Sequence, residues 1–306
     1  MTDASTARPT PPSRGLDGIG RHTRGLTIAN IITQGGIIVT GAAVRLTSSG
    51  LGCSDWPQCE PGEFTPVFHE AASYHPFVEF GNRMMTFVLL IVAIALAIGI
   101  WRTRRDMRWW GVVPVIGIFA QAILGGITVK TELSPWLVAP HLWVSTGLVW
   151  IAVYIALRYR NAPRRVGKPL TALRVVNLVI FVAVLVMGAL TTGAGPHSGD
   201  PDATERLALD PAEIAKAHAG TVWLFLITLG ALVWLIRRDR SAADPNEVRR
   251  AWIVLGIATL LQGAIGYAQY ALGLPIVLVE LHLVGVATLA AAMSAFFYLA
   301  RPVTNR

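Results

Sequence analysis

Long apolar blocks separated by short polar or charged stretches organise this chain. A membrane-crossing helix needs roughly 20 consecutive apolar residues, because the hydrocarbon core is about 30 Å thick and each residue advances about 1.5 Å. Eight blocks meet that length, near 26–46, 78–101, 109–129, 136–157, 171–191, 213–236, 251–271 and 276–300. The pattern predicts an all-α integral membrane protein with eight transmembrane helices. The segment before the first block is polar and rich in Pro, Ser and Thr. It lacks the apolar core of a signal peptide, so residues 1–25 are expected to be a disordered cytoplasmic tail, with the first span retained.

Composition agrees: 53% of the 306 residues are hydrophobic and 14% are charged. A net charge of +8 would ordinarily raise the question of nucleic acid, but its distribution answers it. Twenty-one of the 26 basic residues fall before span 1, between spans 2 and 3, 4 and 5, 6 and 7, or after span 8. The opposite loops carry Asp55, Glu60, Glu63, Glu70, Asp200, Asp202, Glu205 and Asp210. Basic loops stay in the cytoplasm, so both termini are predicted to lie inside, and the charge reports topology with no nucleic-acid role.

The chain also repeats itself at a spacing of about 140 residues. Gln121-Ala-Ile-Leu-Gly125 leads to His141-Leu-Trp, and Gln262-Gly-Ala-Ile-Gly266 leads to His282-Leu-Val, with twenty residues from Gln to His in both. Span 1 runs into Gly41-Ala-Ala-Val and span 5 into Gly188-Ala-Leu-Thr. Two pseudo-symmetric four-helix bundles are expected, 26–158 (with an outer loop at 47–77) and 171–300. A basic linker, 159–170, joins them, and 301–306 forms a terminal tail. Each half has an even number of spans, which predicts parallel repeats related by an axis along the membrane normal.

Of the seven histidines, His22 belongs to the tail and His197 to a polar outer loop, where solvation is expected. His141, His218 and His282 each lie a few residues inside the outer end of an even-numbered span. Polar groups within spans are costly and face a bundle interior or cavity. One imidazole per helix suits a planar cofactor clamped between two helices, each donating a nitrogen lone pair to iron. A zinc site would want four converging ligands, and no thiolates or clustered carboxylates accompany these residues. Haem is the better reading, with His218 and His282 of the second half as the axial pair.

In the first half, span 4 supplies His141, but the position on span 2 that matches His218 is Asn82. Glu79 lies three residues earlier on the same helical face. It reads either as a partner for Arg83 or as a carboxylate directed at the first-half cavity, accepting a proton or stabilising a cationic intermediate. Cys53 and Cys59 flank Ser-Asp-Trp-Pro-Gln in the first outer loop, where disulfides persist. A structural disulfide and a redox-active thiol pair are both compatible with that spacing. His69 reads as a surface residue of this loop, and the role of His75 is open.

Taken together, eight spans in two halves, Cys-x5-Cys around Asp-Trp-Pro, Glu79 at the start of span 2 and His on spans 4, 6 and 8 resemble the bacterial haem A synthases. The resemblance covers about residues 26–300. It implies oxidation of the C8 methyl of haem O to a formyl group through successive hydroxylations and loss of water from a geminal diol, in cytochrome oxidase assembly. It further implies a resident haem b on His218 and His282, with His141 and Glu79 at the substrate haem. Cys53 and Cys59 would be the outer-loop cysteine pair found in many bacterial members, with a disulfide between them the expected state. The implied partners are a haem O synthase and an electron-transfer protein, with a homo-oligomer left open, in the bacterial cytoplasmic membrane. The chain departs from the family's Glu-x-x-His at Asn82. Either the substrate iron is five-coordinate on His141, or His75 swings in, although Pro76 is expected to break the helix between it and Glu79. The alternatives are a membrane b-type cytochrome that only passes electrons, or a haem carrier. A pure relay would want firm axial ligation in both halves, which Asn82 does not offer.

Overall fold

The computed structural model describes residues 14–67, 74–160, 168–238 and 245–300. Eight α-helices account for most of them: α1 (Arg14–Leu46), α2 (His75–Thr103), α3 (Arg108–Lys130), α4 (Pro135–Tyr159), α5 (Lys168–Ala194), α6 (Pro211–Arg238), α7 (Pro245–Ala271) and α8 (Ile276–Leu299). All eight are long and apolar enough to cross a bilayer. Helices are the expected solution, since a spanning segment must satisfy its backbone hydrogen bonds internally. The chain is a multi-pass cell-membrane protein.

Local sequence explains where the even-numbered helices begin. Proline fits a first helical turn, where its missing N–H would have had no partner. Pro76 occupies the first turn of α2 and Pro135 that of α4. Pro211 opens α6, and Pro275 precedes α8. Asp210 caps α6, its Oδ1 accepting from the N–H groups of Ala212 at 2.8 Å and Glu213 at 2.9 Å. Pro76 therefore starts α2 and does not break it, contrary to the expectation from sequence. The other difference is α1, which begins at Arg14, inside the segment read as a tail. Its inner face carries Thr23, Thr27, Asn30 and Gln34, all nearly fully buried, so a search for apolar runs under-reads it.

Helices α1–α4 pack as one group, α1 lying along both α2 and α4. In the second half α5 packs on α6 and α7 on α8, but α5 and α8 touch only slightly. The groups meet where α4 and α1 pack on α8. Phe181, Phe225, Leu255, Met293 and Phe296 form the main core there, with Val149 and Ile38 contributed from the first group. Ser294 Oγ donates to the Trp150 carbonyl at 2.8 Å across the same seam. Large apolar residues such as Ile91, Trp109 and Val277 point away from the protein, as lipid-facing side chains do.

At the ends of α2 and α4, Arg104 pairs with Asp106 at 3.0 Å and donates to the Tyr159 carbonyl at 3.1 Å. The Arg104 hydrogen bond holds the Asp106 carboxyl below its ordinary range. Cations at these C-terminal ends also complement the helix dipoles.

Candidate functional site

The sequence singled out one histidine on each of α4, α6 and α8. Each ring lies against a glycine of the preceding helix. A Cβ added to Gly125 would stand 3.3 Å from His141 Cε1, one on Gly188 3.2 Å from His218 Cε1, and one on Gly266 3.4 Å from His282 Cε1. These separations are at or below ordinary van der Waals contact, so the missing side chain is what lets each imidazole lie against the neighbouring backbone. The fourth member of the set is Asn82, whose Oδ1 would stand 3.9 Å from a Cβ on Gly41.

Glutamines fix the backbone of two of these positions. Gln121 Nε2 donates to the His141 carbonyl at 2.9 Å and to Ser145 Oγ, and Gln262 Nε2 donates to the His282 carbonyl at 2.8 Å. The Gln-to-His spacing of twenty residues thus has a physical cause: a helix, a turn and a helix bring the amide back to the histidine's own carbonyl.

Within the second half, His218 and His282 line one cavity of about 770 Å³. Its wall includes both glycines of the pair, Gln262, Phe225, Trp223 and Tyr267, and α4 closes one side with Leu142, Trp143 and Thr146. Trp223 Nε1 donates to Tyr267 Oη at 3.0 Å, linking α6 to α7 at the rim. The slight contact between α5 and α8 is what opens this space. Among the described residues, Nδ1 of His282 is buried without a hydrogen-bond partner. Among the described residues, no group of three or more His, Cys, Asp and Glu gathers to hold a bare ion. Two imidazoles facing a large, mainly apolar cavity instead fit a planar metal macrocycle, which needs axial donors and apolar walls.

In the first half, Asn82 Oδ1 accepts from Thr40 Oγ1 at 2.7 Å. Glu79 is buried and fully engaged: Oε1 pairs with Arg83, at 3.1 Å from Nε, and Oε2 accepts from the Cys53 N–H at 2.7 Å. Arg83 continues the link through Nη1, donating to the carbonyls of Asp55 at 3.0 Å and Gln58 at 2.9 Å. Cys53 and Cys59 are joined as a disulfide, and both are fully buried. The carboxylate is thus a partner for Arg83, one of its two expected readings, and it also anchors the cysteine loop, which the sequence did not foresee. The loop in turn reaches the His141 position: Trp56 lies on α3 where Gly126 has no side chain, next to Gly125 beneath His141.

His75 Nδ1 lies 2.9 Å from Ser49 Oγ. Seven residues, roughly 10 Å of helix, separate it from Asn82. His197 departs from the expectation of a solvated residue. It is half-buried, with Nε2 3.1 Å from the Leu274 carbonyl, and its own carbonyl accepts from Arg45 Nε at 2.8 Å. His22 is exposed on α1, its Nδ1 2.7 Å from the Gly18 carbonyl. His69 and the linker at 161–167 lie outside the described residues. The four glycines were visible in the sequence as repeat markers, but the role of Gly125, Gly188 and Gly266 as seats for rings was not. Trp56 was visible in the sequence only as part of the Asp-Trp-Pro motif, and the aromatic rim of the cavity carried no sequence signal beyond composition.

Comparison with known proteins adds an independent line. A family model described as cytochrome oxidase assembly protein matches residues 24–294. Among curated relatives named heme A synthase, one from Geobacillus kaustophilus is 32% identical over 49% of this chain and 47% of its own length. One from Bacillus pumilus is 24% identical over 78% of this chain and 83% of the relative. One from Allorhizobium ampelinum is 25% identical over 90% of both. The match thus spans about half the length of the Geobacillus relative and nearly all of the Allorhizobium one.

Proposed function

The chain belongs to the cytochrome oxidase assembly protein family, and from that premise we propose that it is a haem A synthase. It oxidises the C8 methyl of haem O to a formyl group by successive hydroxylations, after which the geminal diol loses water. The single observation that carries the reading is the shared cavity: His218 and His282 face one mainly apolar space of about 770 Å³, each ring seated on a glycine.

In this reading His218 and His282 would hold a resident haem b. When bound, that group supplies one-electron redox chemistry. The remaining work falls to the chain's own residues. Gln262 holds the His282 backbone, and the Phe225 and Trp223 side chains keep water from the cavity walls. The first half receives the substrate haem, with His141 as donor to its iron. Asn82, an amide engaged with Thr40, is a poor ligand for that iron and leaves one face without a strong protein donor. The disulfide loop, clasped by Glu79 and Arg83, shields that site beside Trp56. Glu79 acts on charge or protons at the reacting methyl, and it sits one helical turn from Asn82. Both termini lie on the cytoplasmic side, which the basic loops favour. The protein works with a haem O synthase and an electron-transfer partner.

Haem extraction and chromatography of the purified protein test the proposal. Haem O or haem A beside haem b is the expected result, and haem b alone, in cells that make haem O, would reduce the protein to an electron relay.

A further inference from the structure

Arg45 is the one cation on the inner face of α1 near the end that carries the α1–α2 and α5–α6 connections. It reaches across to the second half. Nε donates to the His197 carbonyl at 2.8 Å, and Nη2 donates to the carbonyls of His197 and of Thr192, the latter at 3.0 Å. Among the described residues no carboxylate pairs with it, and Nη1 makes no hydrogen bond to the protein. Arg206 lines the same small hollow. It too holds only main-chain carbonyls: Nη1 donates to Ala203 at 2.8 Å and Glu205 at 2.6 Å, and Nη2 to Pro196 at 3.5 Å. Its Nε is without a protein partner among the described residues. Glu205 borders the hollow, but its carboxylate is exposed and forms no ion pair with either arginine among the described residues.

Two half-buried guanidiniums side by side repel one another, and carbonyl oxygens supply only partial charge. Such a pair is completed by an anion, for which arginine offers a planar fork matched to a carboxylate. The position of the hollow identifies which carboxylate. Leu142, Ala189 and Thr192 line both the hollow and the cavity that holds His218 and His282. Thr192 is four residues beyond Gly188, the seat of His218, which places Arg45 about 6 Å further along the helix axis, roughly one turn. Haem carries its two propionates on one edge, so a ring held at His218 has its charged edge within reach of this end.

We infer that Arg45 and Arg206 form a carboxylate site for a propionate of the haem held in the second-half cavity. The inference rests on the haem reading above. It also makes α1 of the first half a contributor to the cofactor site of the second, so the two halves share one cofactor-binding unit.

The test uses the full-length protein carrying haem labelled with 13C at the propionate carboxyls, and compares Arg45→Gln and Arg206→Gln with the parent. Redox-difference infrared spectra should show labelled carboxylate bands that shift in each variant, and the midpoint potential of the bound haem should fall, because a nearby cation favouring the reduced state is gone. Arg206 bonds only to its own loop, so Arg206→Gln reads the interaction even if Arg45→Gln loosens the contact with α5. Labelled bands and a potential unchanged in both variants would overturn the inference. So would bands that stay fixed while delipidation alone alters the variants, which would assign the hollow to a lipid phosphate. A parent protein with no bound haem b would instead remove the proposed function itself, and the two failures are therefore distinct.

Discussion

His282 rests on Gly266 so closely that a Cβ there would stand 3.4 Å from its Cε1. The same contact recurs between His218 and Gly188 at 3.2 Å. Adding one methyl at either glycine presses on the ring edge, and adding a branched side chain displaces it. Gly188→Ala is expected to lower haem occupancy modestly, and Gly266→Val to lower haem affinity about tenfold or more, equivalent to ~1.4 kcal/mol. Absorbance at the Soret band per mole of purified protein checks the order of effects.

The ligand assignment makes a sharper demand. His218→Ala and His282→Ala should each abolish the six-coordinate low-spin haem b, while His141→Ala should leave it in place. Optical and electron paramagnetic resonance spectra of the three variants decide this, and a low-spin signal that survives in either of the first two would refute the axial pair.

Glu79 has two jobs in this arrangement, and its substitutions separate them. Glu79→Gln keeps an acceptor for the Cys53 N–H but removes the charge beside Arg83. Formation of formyl haem should stop while haem b stays bound. Leaving a buried arginine without its partner costs about 3 kcal/mol or more, so thermal stability should fall as well. Arg83→Met frees the carbonyls of Asp55 and Gln58 and also takes the partner from Glu79, so it loosens the loop while the carboxyl group stays in place. Pigment analysis showing normal haem A in Glu79→Gln would remove the residue from the chemistry.

Asn82 sits where its counterpart in the other half is a histidine, and its carboxamide is held by Thr40. The separation from Gly41 is wider than at the three histidine seats, leaving space for a larger ring. Asn82→His should fold, at a cost of about 1 kcal/mol for the lost hydrogen bond. It should also add a second low-spin, six-coordinate signal when haem O is supplied. A count of low-spin haems per protein by electron paramagnetic resonance measures the outcome.

Cys53 and Cys59 are bonded and fully buried. Unreduced protein should therefore take up no maleimide, and mass spectrometry should find the two peptides joined. Cys53→Ser with Cys59→Ser should loosen the loop that carries Trp56, seen as faster amide exchange at 53–59 with α5–α8 unchanged. Equal exchange in both proteins would show that the Glu79–Arg83 clasp alone suffices.

Much of this was legible in the order of residues. Eight apolar runs, the sidedness of arginine and the Gln-Gly-His spacings depend on local chemistry: the length of a span, the cost of moving charge across a bilayer, and the geometry of one helical hairpin. These fixed the helix count, the candidate histidines and the resemblance to a family. They also misread the start of α1, because its buried face is polar, and they read Pro76 as a break where it is a beginning.

Tertiary structure decided what no local pattern encodes. That α5 and α8 stand apart, with a cavity between His218 and His282, goes with α5 and α8 each packing on α4 while α5 pairs with α6 and α8 with α7. That Glu79 holds the cysteine loop, and that Arg45 crosses from one half to the other, are contacts between residues far apart in the chain. Such contacts depend on which faces meet, and a face is chosen by the whole set of neighbours, not by the sequence of one helix.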